Sequence, residues 1–135
     1  MSEFRLDFTV RDYECDLQGI VNNATYLNYL EHTRHEFLKS TGIDFAEMHQ
    51  KGINLVVVRS EIDYKYSLTS GDKFFVSLKM ELEGKIRFVF YQDIYRAEDN
   101  KLILKGKIIG TALSSAGRPF LPDELKNLAE ISIGG

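Results

Sequence analysis

One long helical pattern, in a chain whose other patterns are those of β-strands, limits the fold more than any other sequence feature. From Ala24 to Ser40, apolar residues recur at spacings of three and four, which is the period of one helix face. Asn22 or Asn23 is a suitable N-cap, and Gly42 is a suitable stop. Apart from short helical turns, the sequence therefore offers a single helix to cover a sheet.

The other periodic segments alternate apolar and polar residues, as half-buried strands do. Turn signals around Gly71, Gly84 and Asn100 separate the later strands, so we expect hairpin-linked, antiparallel pairs. The predicted strands are Phe4–Val10, Asn54–Tyr66, Phe74–Leu82, Ile86–Tyr95 and Lys101–Leu113. Short helices are predicted at Phe45–Lys51 and after a cap at Asp123. This β-α-β-β-β-β order predicts an α+β fold, in which a curved antiparallel sheet of about five strands wraps around one long central helix.

Both faces of the predicted sheet carry apolar side chains, although one helix can cover only one of them. In the strand at Asn54–Tyr66, alternation puts Val56, Val58 and Ile62 on one face and Val57 on the other. The apolar residues of the second face are Val57, Phe75, Val89, Tyr91, Ile103 and Ile109. A solvated face has no need of them, so we expect another subunit to cover part of it or to extend the sheet edge. The sequence thus predicts a homodimer or homotetramer.

Length and composition indicate a single domain with a core of its own. The 135 residues form one predicted domain, 1–135, and 44% of them are apolar. A formal net charge of −3 argues against a nucleic-acid partner, whose binding surface is basic. There is no run of about 18 apolar residues and no apolar core of a secretory signal. The one cysteine, Cys15, excludes an internal disulfide and fits a reducing cytoplasm. Together these features predict a cytoplasmic protein without a membrane span.

The segment just before the long helix carries the residues with the clearest chemical potential. Asp16 lies in an irregular stretch with Gly19 as its turn, and Asn22 and Asn23 follow at the helix start. A helix start presents unpaired N–H groups and a partial positive charge, which favour developing negative charge. A carboxylate beside it can act as general base or nucleophile on a carbonyl that those amides hold. The structural alternative is an ordinary turn, with Asp16 as its cap.

The stretch from Asp16 to Leu27 resembles a signature of hotdog-fold acyl-CoA thioesterases of the 4-hydroxybenzoyl-CoA thioesterase type. That signature is D-x-x-G-[IV]-V-x-x-x-x-Y, and the stretch reads DLQGIVNNATYL. The resemblance, which is close over about residues 4–38, implies a hotdog fold with active sites at a dimer interface. It implies that Asp16 is the catalytic carboxylate, that the Asn23 backbone amide polarises the thioester carbonyl, and that Gly19 shapes the backbone.

The resemblance also implies an acyl-CoA substrate that is hydrolysed to free acid and coenzyme A, with no separate cofactor. Surface cations hold the phosphates of coenzyme A in such enzymes; Lys85 and Arg87 lie where relatives often carry them, and Arg59 is a third candidate. A solvated sheet face is the alternative role of all three. Tyr26 is a candidate for substrate contact or for core packing. Many relatives have His or Tyr at the position of Asn22, so this substrate-binding position leaves the acyl preference open.

Other reactive side chains near the motif have ordinary interpretations. Asp12 and Glu14 are expected to be solvated loop acids. Cys15 has no local base and is expected to be a small buried group. His32 and His35 share a helix face, but nothing elsewhere in the sequence supplies an obvious third ligand, so no metal site is predicted.

Two other functions stay open at this stage. A hotdog hydratase or dehydratase acting on acyl-CoA or acyl carrier protein usually needs a histidine near the helix start, whereas His32, His35 and His49 lie well downstream. A non-catalytic acyl-CoA-binding protein would keep the fold and bind thioesters without turnover. The sequence leaves open the acyl group, its carrier, and whether Asp16 acts as base or nucleophile.

Overall fold

An antiparallel sheet with helices, the predicted α+β class, forms in the computed structural model, which describes residues 3–134 and side chains up to residue 128. A 3₁₀ turn at Asp12–Glu14 follows the first strand. The strands are β1 (Phe4–Thr9), β2 (Asn54–Tyr64), β3 (Lys73–Glu83), β4 (Arg87–Arg96), β5 (Lys101–Leu113) and β6 (Pro119–Phe120). The helices are α1 (Asn23–Ser40), α2 (Phe45–Gln50) and α3 (Asp123–Gly134).

The strand order is β1-β3-β4-β5-β2, with β6 paired to β5, so β2 lies at one edge of the sheet. The prediction that β2 and β3 form a hairpin is wrong, because β2 pairs with β5. The segment that connects β2 to β3 forms hydrogen bonds with residues at the start of α1. Val21 donates its amide to the Leu68 carbonyl at 2.9 Å, and the Leu68 amide donates to the Tyr26 hydroxyl at 2.9 Å. The chain therefore crosses along the helix start instead of turning back on β2.

A β-bulge in β2 changes which of its residues face α1. The pairing with β5 shifts between Val57 and Arg59, so Val58 is an extra residue. Val57 pairs with Gly110, and Ile62 pairs with Gly106, and these two glycines share a face of β5. The prediction that Val56, Val58 and Ile62 share a face is therefore wrong, because the inserted residue reverses the alternation in the first part of the strand.

Helix α1 begins one residue before its predicted start and ends at the predicted Ser40. Its buried residues pack on the sheet through aromatic contacts. The centroid of the Phe37 ring lies 5.5 Å from the ring centroid of Phe4 and 6.2 Å from that of Phe90. The ring centroids of Tyr29 and Phe74 are 4.7 Å apart. Each fully buried large apolar side chain contributes about 1.5–3 kcal/mol, so this face fixes the helix on the sheet.

The C-terminal helix is longer than predicted. Asp123 is the first residue of α3 and not its cap, and the helix has 12 residues. It adds Leu125 and Leu128 to the core that α1 and the sheet share, and Leu121, just before the helix, joins them. The sheet is therefore covered by more than the one long helix that the sequence pattern predicts.

Part of the second sheet face is buried within the single chain. Val89, Ile103 and Ile109 are 1%, 0% and 4% exposed, so they need no second subunit to cover them. Tyr91 is 38% exposed, and Val57, which the bulge places on the face of Ile62, is 50% exposed. The apolar character of the second face therefore supports an oligomer less strongly than the sequence suggests.

Candidate active site

The loop before α1 holds the Asp16 carboxylate in a defined orientation. The Asp16 amide donates to the Ile20 carbonyl at 2.9 Å, and the Gly19 amide donates to the Asp16 carbonyl at 3.0 Å. Gly19 has φ +82°, a conformation that glycine adopts without strain. Asp16 Oδ1 accepts from the Gln18 amide at 2.8 Å and, more weakly, from the Ile20 amide at 3.4 Å. Among the described residues Oδ2 has no partner, and the side chain is exposed.

The helix start supplies an unpaired amide next to this loop. Asn22 is the N-cap, as predicted, and its side-chain oxygen accepts from the Ala24 amide at 2.8 Å. The Thr25 and Tyr26 amides bond to the Asn22 carbonyl. Within residues 3–134 the Asn23 amide has no acceptor. One N–H of the positive helix end therefore remains available to an oxygen from outside the chain.

Glu14 contributes to the site in a way that sequence reasoning missed. Its carboxylate accepts from the Arg11 amide and from the Tyr29 hydroxyl, both at 2.8 Å. The side chain is only 12% exposed, so the expectation of a solvated loop acid is wrong for Glu14. Burial, followed by this hydrogen bond, raises the pKa of Tyr29 far above its usual value. Glu14 thus ties the loop to α1, and no motif signals this role because the partner lies 15 residues away.

Three further predicted or considered residues near the loop are engaged within the chain. Tyr26 is 3% exposed, and its hydroxyl accepts the Leu68 amide, so it braces the loop to the β2–β3 connection. Asp12 accepts a hydrogen bond from the Ser70 hydroxyl. Burial and the neighbouring acids raise the pKa of the Cys15 thiol, which keeps it protonated and a poor nucleophile. Contact between Tyr26 and a substrate stays a prediction.

The predicted phosphate-binding cations lie away from the loop within one chain. Arg59 is exposed on β2, Lys85 is exposed in the turn between β3 and β4, and Arg87 is exposed at the start of β4. The Asp16 loop bonds instead to Leu68, which lies beyond the end of β2. The three cations and Asp16 therefore do not converge in the single chain, and their role in binding stays a prediction.

The histidines of α1 diverge. His32 Nε2 lies 3.8 Å from a Glu36 carboxylate oxygen, whereas the His35 ring packs on Phe45 at 5.3 Å between ring centroids. Over residues 3–134, no group of three or more His, Cys, Asp or Glu side chains is arranged to hold a metal ion. Within the same range, no helix has the length and apolar character that crossing a membrane requires.

A cleft of about 530 Å³ lies between α1, α2 and the strands β2, β4 and β5. Helix α1 contributes four residues at helical spacing, and none of the cleft residues belongs to the Asp16 loop. The α1 residues are Glu31, Arg34, His35 and Leu38. Phe88 of β4 lies over Gly110, where an added Cβ would approach the ring to 2.6 Å. The glycine therefore makes room for an aromatic wall, a feature that the sequence pattern does not reveal.

Comparison with known proteins identifies the family. Residues 10–128 match the model of the thioesterase-like superfamily. The chain is 37% identical over 129 residues to the chloroplastic acyl-acyl carrier protein thioesterase ATL3 of Arabidopsis thaliana, covering 94% of this chain and 68% of ATL3. It is 36% identical over 114 residues to ATL2 of the same plant, covering 84% of this chain and 61% of ATL2. The chain thus spans only part of the length of both relatives.

The fold is shared with a solved thioesterase. A crystal structure of a 1,4-dihydroxy-2-naphthoyl-CoA thioesterase from Synechocystis superposes with a TM-score of 0.89, covering 95% of this chain and 96% of that one, at 19% identity. The resemblance noted at the motif is confirmed by these matches. The chain therefore belongs to the thioesterase-like superfamily, has the hotdog fold and is a thioester hydrolase.

Proposed function

We propose that this protein hydrolyses acyl-CoA thioesters to a free acid and coenzyme A, with Asp16 as the catalytic carboxylate. One observation carries the proposal. The oriented Asp16 carboxylate and the Asn23 amide lie at the same helix start, and within residues 3–134 one carboxylate oxygen and this amide have no partner. Acyl transfer needs this pair, since one group activates the nucleophile and the other stabilises the oxyanion.

The proposed reaction assigns a separate task to each group. The thioester oxygen accepts a hydrogen bond from the Asn23 amide, and the positive end of α1 stabilises the negative charge that develops there. Asp16 either removes a proton from the attacking water or attacks the carbonyl carbon itself. The carbon–sulfur bond then breaks, and coenzyme A leaves as the thiolate and takes up a proton. After direct attack by Asp16, water hydrolyses the mixed anhydride, which releases the acid and restores the Asp16 carboxylate. Gly19 gives the loop its turn. The proposed reaction uses no separate cofactor.

We further propose a homodimer, or a tetramer built from such dimers, formed through β2 with the sheet curved around α1. One edge of β2 has no partner strand within the described residues, and it carries Val57, Val58 and Tyr64 at 47–50% exposure. Val56 of β2 and Arg87 of β4 pair with the same residue of β5, so Arg87 lies level with the start of β2. The strand runs about 26 Å from Val56 to Tyr64. Antiparallel self-pairing would bring the start of one β2 beside the end of the other.

That arrangement supports a site shared between subunits. The Asp16 loop lies beyond the end of β2, whereas Lys85 and Arg87 lie towards its start and Arg59 lies at its middle. Pairing two copies would bring the loop of one subunit towards the cations of the other, which could then hold the phosphates of coenzyme A. Asn22 and Tyr26, at the helix start, are the proposed contacts nearest to the thioester.

Acyl carrier protein is a second candidate carrier. The relatives ATL3 and ATL2 are named as acyl-acyl carrier protein thioesterases, whereas the Synechocystis neighbour is named as a CoA thioesterase. Rates measured with one acyl group on both carriers would decide between them. The hydratase or dehydratase alternative receives less support, because His32, His35 and His49 all lie outside the Asp16 loop. A cytoplasmic location stays a prediction.

A thiol-release assay over short, medium, long and aromatic acyl-CoAs tests the proposal. Asp16→Asn should lower kcat by about 10²–10⁴ and leave the melting temperature nearly unchanged, because the exposed carboxylate contributes one turn hydrogen bond. Asp7→Asn removes an exposed carboxylate from β1 and is the matched control. Wild-type rates in Asp16→Asn would refute the assignment, and binding without turnover over the whole panel would favour a non-catalytic binding protein.

Isotope labelling separates the two possible roles of Asp16. A single turnover in ¹⁸O-water should put label into the Asp16 carboxylate if this residue attacks the carbonyl, since hydrolysis of the resulting anhydride can return solvent oxygen to it. If Asp16 activates water, the label should appear in the released acid alone. Mass spectrometry of the peptide that contains Asp16 measures the difference.

A further inference from the structure

A half-buried guanidinium, that of Arg34, lies in the cleft beside α1 and has no carboxylate partner among the described residues. Arg34 Nη1 donates to Gln92 Oε1 at 3.0 Å, and Gln92, which is 0% exposed, donates its own Nε2 to the Leu30 carbonyl at 2.9 Å. Among the described residues this glutamine is the one acceptor of the guanidinium, and no carboxylate forms an ion pair with it. Arginine carries five N–H donors, so most of the Arg34 donors have no acceptor in the part of the chain that the structure describes.

The surroundings of this charge are mostly apolar. The apolar lining residues come from α1, α2 and the strands, and they include Leu38, Phe45, Met48, Leu55, Phe88 and Phe90. Burial lowers the pKa of Arg34, whereas the nearby charge of Glu31 raises it. A guanidinium nevertheless stays protonated in proteins, so a positive charge is held against an apolar wall. A volume of about 530 Å³ is within the range of small-molecule sites.

We propose that this cleft receives the acyl part of the substrate, and that Arg34 recognises an oxygen on it, most strongly a terminal carboxylate. The inference rests on the proposed function, because it takes a thioester as the ligand. The apolar walls suit the carbon chain, and the planar fork of donors suits a carboxylate. A plain hydrocarbon chain would take water from the guanidinium and give its remaining donors no acceptor, which is unfavourable. Arg34 is therefore a specificity-determining residue.

Glu31 and Gln92 are the polar neighbours that affect the charge and the direction of Arg34. Glu31 lies one turn before Arg34 on the cleft side of α1, so it lowers the net positive charge without pairing with the guanidinium. Gln92 holds one nitrogen of Arg34 and thereby fixes its direction. A purely structural Arg34, which only braced α1 to β4 through Gln92, would affect all acyl groups alike. A preference between two acyl groups of equal length is therefore the deciding readout.

Titration calorimetry with non-hydrolysable thioethers tests the inference without turnover. The probes are S-hexyl-coenzyme A and its analogue in which a carboxylate replaces the terminal methyl group. Wild type should bind the carboxylate analogue at least about tenfold more tightly, as expected for charge-assisted hydrogen bonds. Arg34→Gln should reduce this ratio to about one, mainly through a loss of affinity for the carboxylate analogue. Arg118→Gln, which removes an exposed arginine before β6, should keep the wild-type ratio.

Each result either supports the inference or overturns it. A wild-type ratio of one or less, a ratio that persists in Arg34→Gln, or failure of both analogues to bind would overturn it. If Arg34→Gln does not fold, Arg34→Lys decides, because loss of the planar fork should lower the ratio and an unchanged ratio would refute the role. Hydrolysis of hexanoyl-CoA and adipoyl-CoA is measured in parallel. Absence of turnover with both and with the whole acyl-CoA panel would refute the proposed function, whereas the thioether ratio would still test Arg34.

Discussion

The Asp16 loop and the Arg34 cleft show two ways in which one chain presents charged groups. In the loop, backbone amides orient an exposed carboxylate, and one of its oxygens has no partner in the described chain. In the cleft, a fully buried side chain, Gln92, orients a guanidinium against apolar walls. The orientation of the Asp16 carboxylate thus depends on backbone amides of its own loop, which suits the loop to catalysis. The orientation of the Arg34 guanidinium depends on a buried side chain of the core, which suits the cleft to recognition.

After the loss of the Asp16 carboxylate, removing the Asn23 amide should have the largest effect, and it should be confined to activity. Proline is well tolerated at the first position of a helix, and Asn22 has φ −69° and ψ 144°, which suit a residue before proline. Asn23→Pro should therefore lower kcat by about 10²–10³, as loss of one oxyanion donor does, with little change in melting temperature. Asn23→Ala keeps the N–H and should lose far less. Equal activity of the two variants would refute the role of the amide.

In the cleft, removing Gln92 should mainly lower stability. Gln92→Leu leaves the Arg34 guanidinium without its one acceptor, so we expect a loss of about 2–4 kcal/mol in the free energy of unfolding, measured in urea. Gln50→Leu, at an exposed position in α2, is the control. The double variant Arg34→Met/Gln92→Leu should be less destabilised than the sum of the single variants, because it leaves no unpaired charge. Additive losses would show that the two side chains are not coupled.

The smallest predicted effect is a pH-dependent change in stability that arises from the Tyr29–Glu14 hydrogen bond, which links the loop to α1. Burial and the Glu14 hydrogen bond raise the pKa of Tyr29, while an unfolded tyrosine ionises near pH 10. The protonated hydroxyl therefore contributes fully below about pH 10, and stability should fall above it by up to about 1.4 kcal/mol per pH unit for this residue. Tyr29→Phe should flatten that fall. An unchanged alkaline slope in chemical denaturation would contradict the coupling.

The local elements near the helix start could be predicted from the sequence because their signals are local. The period of α1, the Asn22 cap and the Gly19 turn each depend on residues within a few positions of one another. The boundaries of β5 are those predicted, since alternation ran to the end of the strand. Glu14 could not be assigned in this way, because Tyr29, its partner, belongs to another element.

By itself, the sequence determined the α+β class, the family and the position of the acid before α1, because periodicity and the motif are properties of neighbouring residues. Only the tertiary structure decided that β2 is an edge strand paired with β5, that a bulge reverses its faces, and that Arg34 and Gln92 meet across 58 positions. These features depend on long-range hydrogen bonds and packing. Their energies are set by which segments meet in space, so spacing along the chain does not encode them.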